Sequence, residues 1–228
     1  LITRRTPGRQ SYPGDIFHLH ARLVERAGNF KMSDGKVVPI TLLPIAETLE
    51  GDLAGYIQTN LMAMTDGHVF FDVSEAKKGR HPAVSFTLSV SRVGNQTKTP
   101  LERELTKEIT EKLSNYRKAE EVSRFGVELT TQTLQALDQG EKLISLFDQE
   151  SQIIISKPLQ LIYLGLFFSG TWSRKTPKEV RVEKIRLMGE FLQGKFGNLP
   201  VEAKLSKSLK ELVSKVNNYF KVGEKVGS

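Results

Sequence analysis

The sequence predicts two regions of different fold class, a mixed α/β region followed by an all-helical region. Up to about Gly94, short apolar runs of strand length alternate with turns rich in glycine and proline. Beyond Pro100, apolar residues recur every three or four positions, which is the spacing of an amphipathic helix. We therefore expect one domain over residues 1–98 and a helical domain over residues 99–228.

The first region is predicted to contain one clear helix, three strands and one segment whose class stays open. Asp15 is a suitable N-cap, and Gly28-Asn29 ends the helical pattern that follows it. Asp34-Gly35 indicates a surface loop or the tip of a hairpin. The predicted helix covers residues 16–27, the strands cover 40–45, 69–73 and 83–93, and residues 57–64 are a short helix or an extended segment.

The second region opens with the clearest helical pattern in the chain. Leu101, Leu105, Ile109, Leu113 and Tyr116 are three or four positions apart, so they lie on one face of a helix. Further periodic segments predict helices over residues 122–136, 139–147, 158–168, 177–193 and 201–220.

Composition excludes several classes of site. The 228 residues contain no cysteine, which excludes disulfides, cysteine-ligated zinc, iron–sulfur clusters and thiol catalysis. The apolar run from Leu159 to Phe168 is about half of the roughly 20 residues needed to span a bilayer. The four histidines, His18, His20, His68 and His81, lack the spacing of a zinc site, so we predict no metal site.

The formal net charge of +7 is concentrated in the last quarter of the chain. Residues 174–228 hold 13 basic and 6 acidic side chains. Such a segment can contact nucleic acid, anionic lipid or an acidic protein, although lysines spread among leucines are typical of a solvated helical face. Nucleic-acid binding also needs aromatic side chains for base stacking. Tyr219 and Phe220 stand side by side and do not alternate with the lysines, so nucleic-acid binding is the weaker alternative.

Residues 189–196 nearly match a phosphate-binding loop. Gly189 is followed after four residues by Gly194-Lys195, but Phe196 stands where the motif needs serine or threonine. The hydroxyl that would hold magnesium is therefore missing, and the preceding residues have helical periodicity. We predict that this segment is not a phosphate loop.

Arg92 stands at the end of the third predicted strand, two residues before Gly94. A guanidinium that projects from a strand end can reach a phosphate through two parallel hydrogen bonds. The alternative is a surface salt bridge, which the residue type alone favours.

Several segments of the first region resemble the alpha subunit of F-type ATP synthases. The most specific are Tyr12-Pro13-Gly14-Asp15, Thr65-Asp66-Gly67 and Ser89-Val90-Ser91-Arg92-Val93-Gly94, the last of which is identical to that family's sequence. Looser matches at residues 124–126 and 140–143 resemble the family's helical C-terminal domain. The resemblance extends over about residues 3–195.

This resemblance implies the C-terminal part of a RecA-like nucleotide-binding domain, followed by a helical bundle. It implies that Arg92, with Ser91 beside it, reaches across a subunit interface into the catalytic site of an adjacent beta subunit. Such an arginine finger stabilises the charge that develops during phosphoryl transfer. Thr65, Asp66 and Gly67 are then expected to shape the phosphate side of that interface.

The family also implies partners and a cofactor. Alpha and beta subunits alternate in a hexameric ring with a central-stalk gamma subunit and peripheral-stalk subunits, and the ring binds ATP or ADP with magnesium. The assembly couples ATP synthesis or hydrolysis to proton or sodium transport, at the cytoplasmic or matrix face of an energy-coupling membrane. We expect this chain alone to bind no nucleotide and to catalyse no reaction. We expect no nucleic-acid partner, and contact with the membrane only through the complex.

Departures from the family pattern fall at positions expected to contact nucleotide. Ala63 replaces a phosphate-facing serine. Where the family has arginine-proline this chain has Arg80-His81-Pro82, so the arginine is either displaced by one position or replaced by His81. Gln149 matches one of two glutamines that flank adenine, and the second position falls near Ser151. His81, Pro82, Gln149 and Ser151 are therefore predicted to be weak nucleotide contacts.

The opening residues, Leu1 to Arg5, contain no methionine and no helix start signal. We therefore expect this chain to be part of a longer one, with the family's phosphate loop and magnesium-binding aspartate before residue 1.

A subunit of a related ring ATPase, of the secretion, flagellar-export or vacuolar type, is the alternative from a neighbouring family. Those proteins share a serine-arginine pair at a strand end. They do not combine it with the Tyr-Pro-Gly-Asp segment.

Overall fold

The computed structural model describes residues 5–8, 11–48, 51–125 and 129–226, with the side chains of 222–226 excepted. The chain forms two compact units. The first holds the described residues up to Glu75 together with Val84–Val93, and the second holds Ala76–Ala83 and the described residues from Gly94 onward. The boundary after residue 98 stays a prediction.

The first unit contains short elements. They are α1 (Ile16–Val24), β1 (Gly28–Lys31), β2 (Val37–Ile40), α2 (Tyr56–Met64), β3 (Gly67–His68), the start of α3 (Val73–Lys77) and β4 (Val90–Ser91). Strands β1 and β2 pair antiparallel with Gly28 opposite Ile40. Gly35 lies between them with φ +82°, so the hairpin tip predicted at Asp34-Gly35 is confirmed.

All three strand predictions in this unit are wrong in extent. Residues 41–48 form no regular structure, and Ile45 is 98% exposed. The segment 69–73 keeps a single bridge from Phe71 to Val84, and Val73 begins α3. Of residues 83–93, only Val90–Ser91 forms a strand. A strand needs a neighbour to pair its backbone N–H and C=O groups. Among the described residues, segments 69–73 and 83–93 pair only through the β3–β4 ladder and the bridge from Phe71 to Val84.

The helix predictions for this unit need smaller corrections. The helix predicted over residues 16–27 ends at Val24, because Gly28 already opens β1. The segment left open at 57–64 is the helix α2. Residues 74–77, which carry charges between two predicted strands, belong to the helix α3.

The second unit is helical, as predicted. Its helices are α4 (Gly94–Thr97), α5 (Pro100–Arg124), α6 (Thr131–Phe147), α7 (Lys157–Phe168), α8 (Pro177–Leu192), α9 (Leu199–Leu205) and α10 (Leu209–Val226). Capping boxes open two of them, Thr99 with Glu102 in α5 and Thr176 with Glu179 in α8. In each box the threonine and the glutamate satisfy backbone N–H groups that a helix start leaves free.

Two helix boundaries differ from the prediction. Two helices were predicted over residues 122–136 and 139–147. Residues 122–124 are instead the end of α5, and residues 131–147 form the single helix α6, which begins after its N-cap Thr130. Residues 126–128 lie outside the described ranges. The helix predicted over 201–220 is interrupted at residues 206–208. There Ser206 donates to the carbonyl of Glu202, and the hydroxyl of Ser208 accepts from the backbone of Glu211. Serine side chains thus end one helix and begin the next.

The apolar core that the described residues form lies in the second unit. Every apolar side chain that is buried among the described residues falls between Leu101 and Val216. Helix α5 packs on α6, α6 on α8, and α7 on both α9 and α10. None of the helices that the structure describes is long and apolar enough to cross a bilayer.

Candidate functional site

The first predicted site is built on the two-residue ladder between β3 and β4. Gly67 pairs with Ser91 and His68 with Val90, antiparallel. One residue further along, the backbone N–H of Arg92 donates to the carbonyl of Asp66 at 2.8 Å. The structure therefore places the Thr65-Asp66-Gly67 turn directly beside Ser91 and Arg92.

Gly67 allows the two segments to approach closely. A Cβ atom at this position would lie 2.5 Å from the carbonyl oxygen of Val90 and 3.1 Å from Cα of Ser91. Both distances are below van der Waals contact, and both neighbours are backbone atoms, which cannot rotate away. The position therefore needs glycine for space, and the register that presents Arg92 depends on it.

The side chain of Arg92 is exposed and lies over the end of α2. Its Nη1 donates to the carbonyl oxygen of Ala63 at 3.1 Å. The last carbonyls of a helix have no partner within the helix and carry partial negative charge, so a cation is stabilised there. Thr65 ends the same helix, since its N–H and its hydroxyl both donate to the carbonyl of Leu61.

Side-chain and backbone hydrogen bonds that no sequence motif indicated hold the segment before Arg92 in place. His68 Nε2 lies 2.8 Å from the carbonyl oxygen of Leu88, and the hydroxyl of Ser89 accepts from the backbone N–H of Phe70 at 3.0 Å. The backbone N–H of the buried Ser85 donates to the carbonyl of Phe70 at 2.9 Å. Two serines of the segment that was predicted as a strand thus form single hydrogen bonds to Phe70, where a regular ladder is absent.

The second predicted cluster lies in the second unit, where the loop at His81 meets the end of α6. The N–H of His81 donates to the carboxylate of Asp148 at 3.0 Å, and the N–H of Gln149 donates to the carbonyl of His81 at 2.7 Å. His81, Pro82 and Gln149 are therefore brought together. Ser151 lies in an exposed turn two residues beyond Gln149.

Charged side chains fix this cluster. Asp148 pairs with Arg181 at 3.0 Å, and the ammonium of the buried Lys184 donates to the backbone carbonyl of Asp148. Burial lowers the pKa of Lys184, and the carboxylate of Asp148 acts in the opposite direction. Lys184 therefore serves as a partner for the final carbonyls of α6, as basic groups do at helix ends.

The space beside Gln149 is too small to hold a nucleotide by itself. The cavity is about 40 Å³ and is lined mainly by the 148–155 loop and by α8. Pockets for small molecules usually measure roughly 300–1,000 Å³. The cavity beside Gln149 is therefore far smaller than such a pocket. In the described ranges, no group of three or more histidine and carboxylate side chains is placed to hold a metal ion.

The near-match to a phosphate loop is a helix end. Gly189 lies inside α8, and Gly194 follows the end of that helix with φ +71°. Phe196 is 2% exposed and packs edge-on against Phe191, Tyr219 and Phe220. The phenylalanine that breaks the motif is thus a core residue.

Comparison with known protein families matches both parts of the chain. Residues 1–91 match the nucleotide-binding domain of the ATP synthase alpha/beta family, and residues 96–218 match the C-terminal domain of the ATP synthase alpha/beta chain. These matches confirm the predicted fold class, in which part of a nucleotide-binding α/β domain precedes a helical domain.

Individual relatives agree with the family matches. The chain is 37% identical over 171 residues to ATP synthase subunit alpha of Ehrlichia chaffeensis, covering 75% of this chain and 33% of the relative. It is 35% identical over 194 residues to subunit alpha of Acholeplasma laidlawii, covering 85% of this chain and 38% of the relative. It is 39% identical over 168 residues to subunit alpha of Wolbachia pipientis wMel, covering 73% of this chain and 32% of the relative. It spans about a third of the length of these relatives, and by these matches it belongs to the ATP synthase alpha/beta family.

Proposed function

We propose that this chain is part of the alpha-type subunit of a rotary F-type ATP synthase. Relatives named ATP synthase subunit alpha support the assignment to alpha. In this role residues 1–98 belong to the nucleotide-binding domain and residues 99–228 form the helical domain. The chain is regulatory and structural, and the adjacent beta subunit carries the catalysis.

In this proposal Arg92, with Ser91 beside it, is an arginine finger that acts in the catalytic site of beta. The observation that carries it is the kind of partner that Arg92 has. Among the described residues no carboxylate pairs with Arg92, and its guanidinium bonds only the neutral carbonyl of Ala63. An exposed bond of this kind is readily exchanged for two charge-assisted bonds to a phosphate. The charge of the guanidinium then stabilises the phosphoryl group during transfer.

The remaining site residues take supporting roles in the proposal. Thr65, Asp66 and Gly67 shape the phosphate side of the interface with beta. His81, Pro82, Gln149 and Ser151 form a weak second contact for nucleotide, and residues outside this chain complete it. ATP or ADP with magnesium is bound by the assembly.

The proposed assembly is a hexameric ring of alternating alpha and beta subunits. Its further partners are a central-stalk gamma subunit and peripheral-stalk subunits, and it couples ATP synthesis or hydrolysis to proton or sodium transport. The ring lies peripherally at the cytoplasmic or matrix face of an energy-coupling membrane.

Assembly with beta tests the proposal. We would join residues 1–228 to the upstream part of subunit alpha from Acholeplasma laidlawii, produce the hybrid with the beta subunit of that organism, and measure ring mass and ATP hydrolysis. We expect an alternating ring that hydrolyses ATP and no hydrolysis by the 228-residue chain alone. Failure to form a ring, or turnover by the chain alone, would contradict the proposal.

A further inference from the structure

The ladder that presents Arg92 is very short. Strands β3 and β4 pair through two residues each, Gly67 with Ser91 and His68 with Val90. A slip of one residue between two paired strands turns every side chain to the opposite face of the sheet, and glycine-rich strands resist such a slip weakly. A slip of β4 would therefore turn the side chain of Arg92 to the other face, so its direction depends on what else fixes the register.

His68 supplies the side chain of β3, because the other residue of this strand is Gly67. The backbone of His68 pairs with Val90, and its imidazole reaches across to the residue two positions earlier, where Nε2 lies 2.8 Å from the carbonyl oxygen of Leu88. Diagonal neighbours in an antiparallel pair lie within reach of an aromatic side chain. Because a carbonyl oxygen can only accept, Nε2 carries the hydrogen and donates it.

One residue of β3 thus holds the segment before Arg92 at two points, Val90 through the backbone and Leu88 through the side chain. A third point is the bond from the N–H of Arg92 to the carbonyl of Asp66. A slip of β4 by one residue would carry the carbonyl of Leu88 away from Nε2 by about 3.3 Å, the rise of one strand residue. The imidazole bond therefore opposes a slip in either direction.

We propose that His68 is a positioning residue for Arg92, and that its bond to Leu88 keeps the guanidinium directed at the phosphate in the neighbouring catalytic site. The inference rests on the proposed role of Arg92 as an arginine finger. In this account His68 touches neither the nucleotide nor beta, and it acts only through Arg92. The rate is sensitive to such support because a donor stabilises the transition state only when it is held where charge develops.

Ser89 shares this task with His68. Its hydroxyl accepts from the backbone N–H of Phe70 at 3.0 Å, between the two points that His68 holds. Because this second bond remains, loss of the imidazole bond should loosen the segment without displacing it fully. A full displacement of about 1 Å costs roughly 100-fold in rate, so we expect about tenfold for the loss of the imidazole bond alone.

A purely structural role is the alternative for His68. The first unit contains no buried apolar side chain among its described residues, so a hydrogen bond near its surface could add to its stability. Loss of a stabilising bond would lower the amount of assembled ring and leave the turnover of each ring unchanged. Loss of a positioning bond lowers kcat in rings that still assemble, and an equivalent donor restores it.

The test measures steady-state ATP hydrolysis and ring mass for the hybrid ring with the Acholeplasma laidlawii beta subunit. His68→Gln keeps a donor at the same number of bonds from Cα as Nε2, whereas the amide of His68→Asn is too short to reach Leu88. We expect His68→Gln to stay within about twofold of the unmodified ring. His68→Asn and His68→Phe should lower kcat about tenfold, with KM and ring mass unchanged.

A double-mutant cycle separates action through Arg92 from any other effect. In an Arg92→Ala ring the finger is absent, so His68→Asn should cause no further loss of the residual turnover. Costs that multiply in the double variant would show that His68 acts elsewhere and would overturn the inference. Normal turnover by Arg92→Ala alone would overturn the proposed finger itself, which keeps the two failures distinguishable.

Three further outcomes would overturn the role of His68 while the finger stands. The first is a His68→Gln ring as slow as the His68→Asn ring, because the donor would then be irrelevant. The second is loss of ring mass in His68→Asn and His68→Phe, which indicates a structural role. The third is an equal loss of turnover in the control His18→Asn, which changes an exposed histidine of the same unit.

Discussion

The backbone N–H of Arg92 donates to the carbonyl of Asp66, 2.8 Å away, in continuation of the ladder between β3 and β4. The base of the arginine side chain is therefore fixed by the turn that precedes β3. Its guanidinium is attached to the same region by one bond, to Ala63. A fixed base and a loosely attached tip are what a residue needs to reach into a neighbouring subunit.

Gly67→Ala is expected to lower ATP turnover in an assembled ring even though Arg92 is unchanged. The added Cβ would lie 2.5 Å from the carbonyl oxygen of Val90, so β4 must shift. A shift of about 1 Å at a positioned group can cost roughly 100-fold in rate. The measurement is steady-state hydrolysis by the hybrid ring. The control is Gly35→Asn at the hairpin tip, where asparagine tolerates a positive φ; equal effects of the two changes would contradict the prediction.

Gly140→Ala should destabilise the helical unit, although alanine is the better helix former. Its Cβ would lie 2.2 Å from the ring of the buried Tyr116, between α5 and α6. We expect a loss of about 1–3 kcal/mol from overpacking. Gly189→Ala in α8 is the matched control, because no atom outside the backbone of its own helix and its two chain neighbours lies within 4 Å of the new Cβ. The control should gain about 0.5–1 kcal/mol. Urea unfolding followed by circular dichroism measures both, and destabilisation by the two changes alike would refute the packing argument.

Glu102 is expected to make stability depend on acid pH. A hydrogen bond from the ammonium of Lys157 and another from the N–H of Thr99 lower the pKa of Glu102 to about 2. Because the folded state favours the charged carboxylate, its contribution is present above the unfolded pKa of about 4.3 and is lost as pH falls towards about 2. After solvent screening we expect about 1 kcal/mol.

The measurement compares the free energy of unfolding between neutral and acid pH. Glu102→Gln should flatten the dependence of the free energy of unfolding on pH below about pH 5. Glu111→Gln, an exposed change on the same helix, should leave the curve as it is. An unchanged slope in Glu102→Gln would show that the capping carboxylate contributes nothing.

The first unit should be digested before the second. None of its described apolar side chains is buried, whereas the second unit contains every buried apolar side chain of the described ranges. Local opening is easiest where few apolar contacts resist it. Brief trypsin treatment, followed by mass spectrometry, should therefore show early cuts at Arg22, Arg26, Lys31 or Lys36. Protection of residues 5–75 while residues 100–220 are digested would contradict this.

Helices could be predicted from the sequence because their signals are local. The stripe from Leu101 to Tyr116, the threonine caps and the prolines after them lie within a few residues of the bonds they form. The strand predictions were wrong because a strand depends on a partner that is distant in the sequence. Residues 83–93 are rich in strand formers, yet only Val90 and Ser91 form a strand, and Ser89 bonds to Phe70 through its hydroxyl.

The functional role of the candidate residues stays a prediction, whereas their geometry could not be predicted from the sequence. The run from Ser89 to Gly94 and the Thr65-Asp66-Gly67 turn were identified from the sequence. The bond from Arg92 to Ala63 joins positions 29 residues apart, and no local pattern encodes such an approach. The gap between α9 and α10 had a local signal, Ser206-Lys207-Ser208, which continuous helical spacing on both sides obscured.

The central claim is that Arg92 acts in the catalytic site of a neighbouring subunit. The most direct measurement is ATP hydrolysis by the hybrid ring carrying Arg92→Lys or Arg92→Ala, with ring mass determined on the same samples and Arg26→Lys, an exposed arginine of the same unit, as control. Lysine keeps the charge and loses the planar fork, so we predict intact rings and at least a ~10³-fold fall in turnover for both variants. Intact rings that turn over within about tenfold of the unmodified ring would contradict the account, since that ratio leaves only ~1.4 kcal/mol of transition-state stabilisation.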